Sequence, residues 1–341
     1  MQLGSTPRPL LDRLLLIAPF FFWGTAMVAM KGVIPHTTPL FLAGLRIGPA
    51  GLLVLAVAVI LGRPQPKGWR TWLWISLFAI VDVVLFQGFL AFGLVRTNAG
   101  LGSVMIDTQP LVVALLALWL YGERIGPWGW LGLIVGIAGI SCIGLPDEWI
   151  VQFFQGHWLD SSAALSSIEF SQIFDSGQAL MLLAALSMAL GTVMIRKVCE
   201  YCDPISATGW HMILGGLTLF LGSGLWESNQ WIDLDAPSWL LMGYATVFGS
   251  AVAYGLFFYF ASTGSLTSLS SLTFLTPVFA LIFGNLLLSE VLSPIQFGGV
   301  CLTLVSIYFV NQRDRLPDWQ TVKEVAISLP ASVARLWLRD S

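Results

Sequence analysis

Apolar residues run along this chain in long unbroken blocks, separated by short polar or proline-led stretches. Crossing about 30 Å of hydrocarbon at about 1.5 Å per residue takes about 20 residues, and ten blocks approach or meet that length. They predict helices over 11–30, 39–61, 72–94, 99–121, 127–144, 178–195, 204–224, 238–260, 266–288 and 294–311. The first block follows Arg8 and Arg13 as a signal peptide would. It is longer than a typical signal core, and its Gly24-Thr25 pair recurs later, so it is expected to stay in the mature protein.

The blocks fall into two copies of one unit. At an offset of 167 residues, Gly24-Thr25 recurs as Gly191-Thr192, Trp72-Leu73 as Trp239-Leu240, Gly88 as Gly255, Pro110 as Pro277, Glu123 as Glu290 and Pro127 as Pro294. Five spans is an odd number, so the second copy must enter the bilayer from the side opposite to the first. The expected fold is an all-α membrane protein of ten transmembrane helices, arranged as two inverted five-helix repeats around a central cavity. The repeats occupy 1–144 and 178–312, joined by an external connection at 145–177 and followed by a cytoplasmic amphipathic tail at 313–341.

Composition agrees: 56% of residues are hydrophobic and 10% charged, against roughly 25% charged in an average soluble domain. The net charge of -3 points to no nucleic-acid partner. With both termini in the cytoplasm, the sixteen Lys and Arg divide into thirteen inside, two outside (Lys31 and Arg96) and one within the bilayer (Arg46). That bias sets the orientation and suits a plasma, or inner, membrane. Acidic residues gather in the outer connections, the longest of which carries no Lys or Arg. Within it, 149–154 is apolar enough to rest on the bilayer, as is one face of the tail from Asp318.

Four ionisable side chains lie well inside predicted spans: Arg46, Asp82, Asp107 and His211. A charge at the bilayer centre costs roughly 2.5–3.5 kcal/mol on insertion scales, so such residues face a cavity or each other. Helical rise puts Arg46 and Asp107 at about 10 and 12 Å from the outer face, and Asp82 at about 15 Å from the inner one. Two readings fit. Arg46 and an aspartate form a structural ion pair, or Arg46 orients an anionic group in a cavity while an aspartate binds a cation or carries a proton.

His211 aligns with Arg46 at an offset of 165. It suits a proton relay or a hydrogen-bonded structural role. Pro110 and Pro277 fall at matching points of the fourth and ninth spans, where each is expected to kink its helix and shape the central cavity. Gln109, Thr108, Thr273 and Thr276 supply polar groups beside them.

The remaining features carry less chemistry. Gly129, Gly132, Gly136 and Gly139, with Gly298-Gly299, mark close helix contacts. Cys199 and Cys202 form a lone C-x-x-C without the second pair that structural zinc needs. Glu123 and Glu290 read as interfacial anchors or partners of nearby basic groups. No G-x-x-x-x-G-K-[ST] fingerprint occurs, so transport by this chain alone would be secondary or facilitated, with no cofactor.

Trp23-Gly24 with Lys31, Pro39 followed by Leu45-Arg46, Thr97-x-Ala99, Pro110, Glu123, Pro277 and Glu290 together resemble an EamA-type member of the drug/metabolite transporter superfamily. The resemblance implies ten helices around a substrate cavity that opens alternately to the two sides. It implies small substrates, amino acids, other metabolites or toxic compounds, often exported. Site residues implied by the resemblance and the polar positions are Trp23, Arg46, Asp82, Asp107, Gln109, Pro110, His211, Thr276 and Pro277. The chain departs from the family pattern in its long 145–177 connection, in Leu190 where the first repeat has Trp23, and in His211 where an Arg could have recurred. Two alternatives come from other classes: an intramembrane enzyme using Asp82 and Asp107 as paired carboxylates, and a non-transporting structural or receptor protein.

Overall fold

The protein is represented by a computed structural model that describes residues 10–96, 105–144, 147, 150–151, 177–231, 234–288 and 293–316. Thr97-x-Ala99, Glu290, nearly all of the 145–177 connection and the tail from Asp318 lie outside the described residues. The described chain is helical, with no strand. Its helices are α1 (Leu10–Val33), α2 (Pro39–Ile60), α3 (Trp69–Arg96), α4 (Gln109–Tyr121), α5 (Gly126–Gly144), α6 (Gly177–Val198), α7 (Pro204–Trp226), α8 (Ala236–Thr263), α9 and α10 (Pro294–Gln312). The ninth is built from Leu266–Ser271, a 3-10 turn at Leu272–Phe274, and Leu275–Leu288.

Among the described residues, eight helices are long and apolar enough to cross a membrane. The other two, α4 and the Leu266–Ala280 part of α9, are shorter apolar helices. Large apolar side chains such as Ile60, Leu221 and Leu240 stand exposed on the outer faces. A hydrocarbon solvent, and not water, suits such a surface. Polar side chains such as Asp82, Thr192, His211 and Ser250 are fully buried instead.

Local sequence sets several helix starts. Pro39, Pro204 and Pro294 each occupy the first turn, where the missing N–H costs nothing. Asp203 caps α7 by accepting from the Ile205 and Ser206 amides at 3.0 and 3.2 Å, and Ser293 closes a reciprocal capping box with Gln296. Thr38 makes no cap bond of its own. Glu227, just past the end of α7, takes that role by accepting from the Leu40 and Phe41 amides at 2.8 and 3.0 Å.

Two helix pairs approach backbone to backbone. A Cβ on Gly216 would lie 2.5 Å from the Gly48 nitrogen, one on Gly51 2.7 Å from the Ile213 nitrogen, and one on Gly44 2.8 Å from the Phe220 nitrogen. Partner numbers fall along α7 as they rise along α2, so the helices run antiparallel. The α5 and α10 pair repeats the arrangement, with Gly139 against Thr303 and Gly132 against Val310, and Ser306 Oγ donating to the Gly132 carbonyl at 2.6 Å. Of the glycines read from the sequence as contact points, Gly132, Gly139 and Gly299 serve that end, as small-residue packing requires in lipid, whereas Gly298 meets nothing within 4 Å.

Both α3 and α8 widen midway into π-helical stretches, at Ala79–Leu85 and Val247–Val252. The 167-residue offset superimposes one on the other to within a residue. Such wide turns in α-helices cluster at functional sites.

The two prolines act differently from the mid-span kinks expected of them. Pro110 sits in the first turn of α4, after turn residues at 107 and 108, and Pro277 follows the 3-10 turn of α9. Each interruption precedes its proline. A proline is tolerated at the start of a helical segment, where its amide is not needed, and the break falls in the residues before it.

Candidate functional site

The wide turn of α3 carries Asp82, a side chain with no solvent exposure. Its Oδ2 lies 3.2 Å from Nε2 of His211 on α7, which is equally buried. The imidazole stacks on Phe78 at 4.0 Å between ring centres, and its Nδ1 lies 3.3 Å from the Ala207 carbonyl oxygen. The other carboxylate oxygen, Oδ1, has no hydrogen-bond partner. It fits against Gly191 of α6 so closely that a Cβ there would come within 2.2 Å. Glycine at this position leaves room for the carboxylate. Beside it, Thr192 Oγ1 accepts from Gln109 Nε2 at 3.1 Å, which ties the start of α4 to α6.

Arg46 on α2 is 6% exposed. Its Nη2 donates to Oε1 of Gln87 at 2.5 Å, and Gln87 Nε2 donates to the Tyr254 hydroxyl at 2.7 Å. No carboxylate of a described residue comes within 4.0 Å of the guanidinium, and Nε has no partner. The structural pairing of Arg46 with Asp82 or Asp107 is therefore not formed here. Asp82 is held by His211, and Asp107, 6% exposed, has no hydrogen bond or ion pair with a described residue.

Trp23 closes the other side of Tyr254, with ring centres 5.5 Å apart, and lies 5.0 Å from Phe257. Next to it, a Cβ on Gly24 would sit 2.7 Å from the Thr276 carbonyl oxygen and 3.0 Å from the Ala280 nitrogen, so α1 and α9 touch at Gly24 and the Thr276–Ala280 turn. Trp23 Nε1, Thr276 Oγ1 and Ser250 Oγ are buried without partners. Buried polar atoms are nearly always satisfied, and a group of exceptions calls for an explanation. With Arg46 Nε and Asp82 Oδ1 they make five orphaned polar atoms on the inward faces of the bundle.

The chain matches the EamA-like transporter family over residues 13–145 and 175–312. It belongs to that family. An uncharacterized transporter of Synechocystis is 59% identical over 337 residues, covering 96% of this chain and all of the relative. A chloroplastic WAT1-related protein of Arabidopsis thaliana is 52% identical over 305 residues, covering 88% of this chain and 69% of that one. One crystal structure superposes with a TM-score of 0.71 at 16% identity, over 89% of this chain and 96% of its own, a likeness of fold. This EamA-like transporter is accordingly an integral, multi-pass membrane protein.

Of the residues singled out from its sequence, Asp82 meets His211, and Trp23 and Thr276 lie along the α1 and α9 contact. Gln109 joins α6 instead of Arg46. Sequence reading missed Gln87 and Tyr254, which connect Arg46 to the rest of the site. The signal was present: Gln87-Gly88 and Tyr254-Gly255 align at the repeat offset, each a polar side chain before a repeated glycine.

At the end of the bundle marked by the α4 to α5 junction, Glu123 accepts from the Leu266 and Thr267 amides at 3.1 Å each and from Ser265, which caps α9. Arg313 lies 3.4 Å and Arg196 3.7 Å away. Burial pushes the Glu123 carboxyl up, but hydrogen bonds from Ser265 and Thr267 and the Arg196 charge outweigh it and hold it below the usual range. Glu123 thus anchors four helix ends. The Cys199 and Cys202 thiols are free, and burial pushes them up to about 12 and about 11. Neither has thiolate character at neutral pH, the form that metal binding and redox exchange need.

Proposed function

We propose that this EamA-like transporter carries a small metabolite with an anionic group, such as an amino acid, by secondary alternating access, and that Arg46 holds the carboxylate. One observation carries the reading: a guanidinium buried in the bundle with no acidic partner among the described residues. Burying an unpaired charge is costly, and a permanent site of this kind is retained where a ligand supplies the missing charge. A planar fork suits a carboxylate, which it grips through two parallel hydrogen bonds. Trp23, Tyr254 and Thr276 then form the apolar and hydroxyl surroundings.

Alternating access between two five-helix units inserted in opposite senses is supported by the antiparallel α2/α7 and α5/α10 pairs and by the contact between the counterparts Gln87 and Tyr254. The paired-carboxylate enzyme gains nothing from the site, because Asp82 is engaged by His211 and shares no hydrogen bond with Asp107. The test is flux of labelled amino acids and other small carboxylates into proteoliposomes. Wild-type protein is expected to exchange at least one of them. A folded Arg46→Lys variant should bind that solute about tenfold more weakly, having lost the fork but kept the charge. Unchanged affinity and rate in Arg46→Lys would overturn bidentate recognition.

A further inference from the structure

The hydrogen bonds around His211 specify a proton count. Nδ1 faces the Ala207 carbonyl at 3.3 Å, an oxygen that can only accept, so Nδ1 carries a hydrogen. Nε2 faces Asp82 Oδ2 at 3.2 Å. With Nδ1 protonated, a neutral imidazole would set the Nε2 lone pair against a carboxylate lone pair, a repulsive contact in a site that excludes water. One more proton removes the conflict, and in a site that excludes water it sits on Oδ2 and is donated to Nε2, since a neutral acid beside a neutral ring is cheaper to bury than an ion pair. This geometry fits a proton-loaded pair with a summed charge of zero.

From this arrangement we infer that Asp82 and His211 form a proton-binding dyad whose loading sets whether the Arg46 charge is free to receive an anionic solute. This rests on the reading of Arg46 as the anion site. When the dyad is loaded it carries no net charge, Arg46 meets no carboxylate among the described residues, and an anion neutralises it. His211 and Tyr254, the end of the Arg46–Gln87 bridge, both pack on Phe258, with ring centres at 5.4 and 5.7 Å. When the dyad gives up its proton, the added negative charge on Asp82 and His211 offsets the guanidinium across that contact, and the anion loses its partner. The balance is one proton bound for one anion bound, with no bond to the solute made or broken. By linkage, the anion raises the proton affinity of the dyad by the same factor as the proton raises affinity for the anion.

The elements around the dyad leave few other charges to confuse the effect. Among the described residues α7 offers only His211, α8 presents Tyr254, and α2 presents Arg46, bridged to Tyr254 by Gln87. At Asp82, α6 presents Gly191 and Thr192, and its own charges, Arg196 and Lys197, lie more than a turn beyond. Arg70 and Arg96 occupy the two ends of α3, more than two turns from Asp82.

Infrared difference spectroscopy of the protein in lipid, titrated with acid, tests this with the proton itself as probe. A carboxyl C=O band should appear on acidification in wild type and be absent in Asp82→Asn. His211→Gln replaces the shared base with an amide donor and should lower proton affinity about tenfold, while Arg46→Gln, mimicking a guanidinium neutralised by solute, should raise it about tenfold. Arg46→Lys should leave it within about threefold. If Asp82→Asn does not fold, carbon-13 labelling of aspartate in Asp107→Asn leaves Asp82 as the sole deep intramembrane aspartate to shift the band. A titration with no band attributable to Asp82, or one indifferent to His211→Gln and Arg46→Gln, overturns the dyad. No solute or flux enters this titration, so its failure leaves transport standing, and absent flux in wild type leaves the titration standing.

Discussion

Gln87 and Tyr254 hydrogen-bond at 2.7 Å and are separated by 167 residues, the offset that relates the two halves of the chain. Each is therefore the other's counterpart. In the proposed inverted repeat, counterparts would touch where the two copies meet across a two-fold axis. This contact also takes, among the described residues, the only side-chain hydrogen bond that Arg46 donates.

Replacing Gln87 by Leu would strand both the Arg46 guanidinium and the Tyr254 hydroxyl. Leaving a buried donor unmet costs about 1–3 kcal/mol, and more for a charged group. Tyr254→Phe leaves only the neutral Gln87 amide without its acceptor, at about 1–3 kcal/mol and without the added cost of a charged group. Thermal unfolding of the purified variants should rank them in that order, and a Gln87→Leu protein as stable as wild type would contradict the network.

The α2/α7 crossing should tolerate no side chain at Gly216, where a Cβ would lie 2.5 Å from the Gly48 nitrogen. Gly216→Val is expected to cost about 1–3 kcal/mol or more, because backbone cannot yield as a flexible side chain does. Gly224→Ala in the same helix meets nothing within 4 Å and serves as the control. Yield of monodisperse protein after detergent extraction should fall for the first and hold for the second.

Acid should loosen the end of the bundle held by Glu123. Its folded pKa lies below the ordinary value of 4.5, so its contribution is complete above about that pH and is lost as pH falls through the folded value. Wild-type protein should melt higher than Glu123→Gln at neutral pH, with the gap closing as pH drops below 4.5. A gap that persists undiminished in acid would place the effect in packing and not in charge.

The distribution of basic residues predicts that both termini are cytoplasmic. Cysteines introduced at Arg63 and Gln312 should react with an impermeant maleimide only from the cytoplasmic side, and one at Asn229 only from outside. The native thiols interfere little, since Cys199 and Cys202 are pushed up to about 12 and about 11. Labelling of positions 63 and 229 from one side would break the topology.

Long apolar blocks made the helices readable, and the offset of Gly24-Thr25, Pro110 and Glu123 made the duplication readable, because membrane spans are fixed by length and composition. Depth along a helix also follows from residue count, which brought Arg46, Asp82 and Asp107 to similar levels. Azimuth does not. The turn of each helix about its axis is set by packing, and the wide turn in α3 shifts it again between Asp82 and Gln87. For that reason Arg46 was expected beside an aspartate and is found beside Gln87, while the aspartate meets His211 on another helix. The positions of Pro110 and Pro277 were legible, but not that their helices break ahead of them.

The wide turns in α3 and α8 act as slip joints. An ordinary helix turns about 100° per residue, so moving the surplus residue of a wide turn along the helix re-aims the residues it passes by about that angle and leaves the two flanks in register with each other. Asp82 lies within the first joint and Gln87 beyond it, and Tyr254 lies beyond the second. Either wide turn, carried forward until it passes Gln87 or Tyr254, would swing that side chain out of register and part the pair, while α7 keeps His211 where it is. Arg46 would then lose its acceptor without any helix having to unwind.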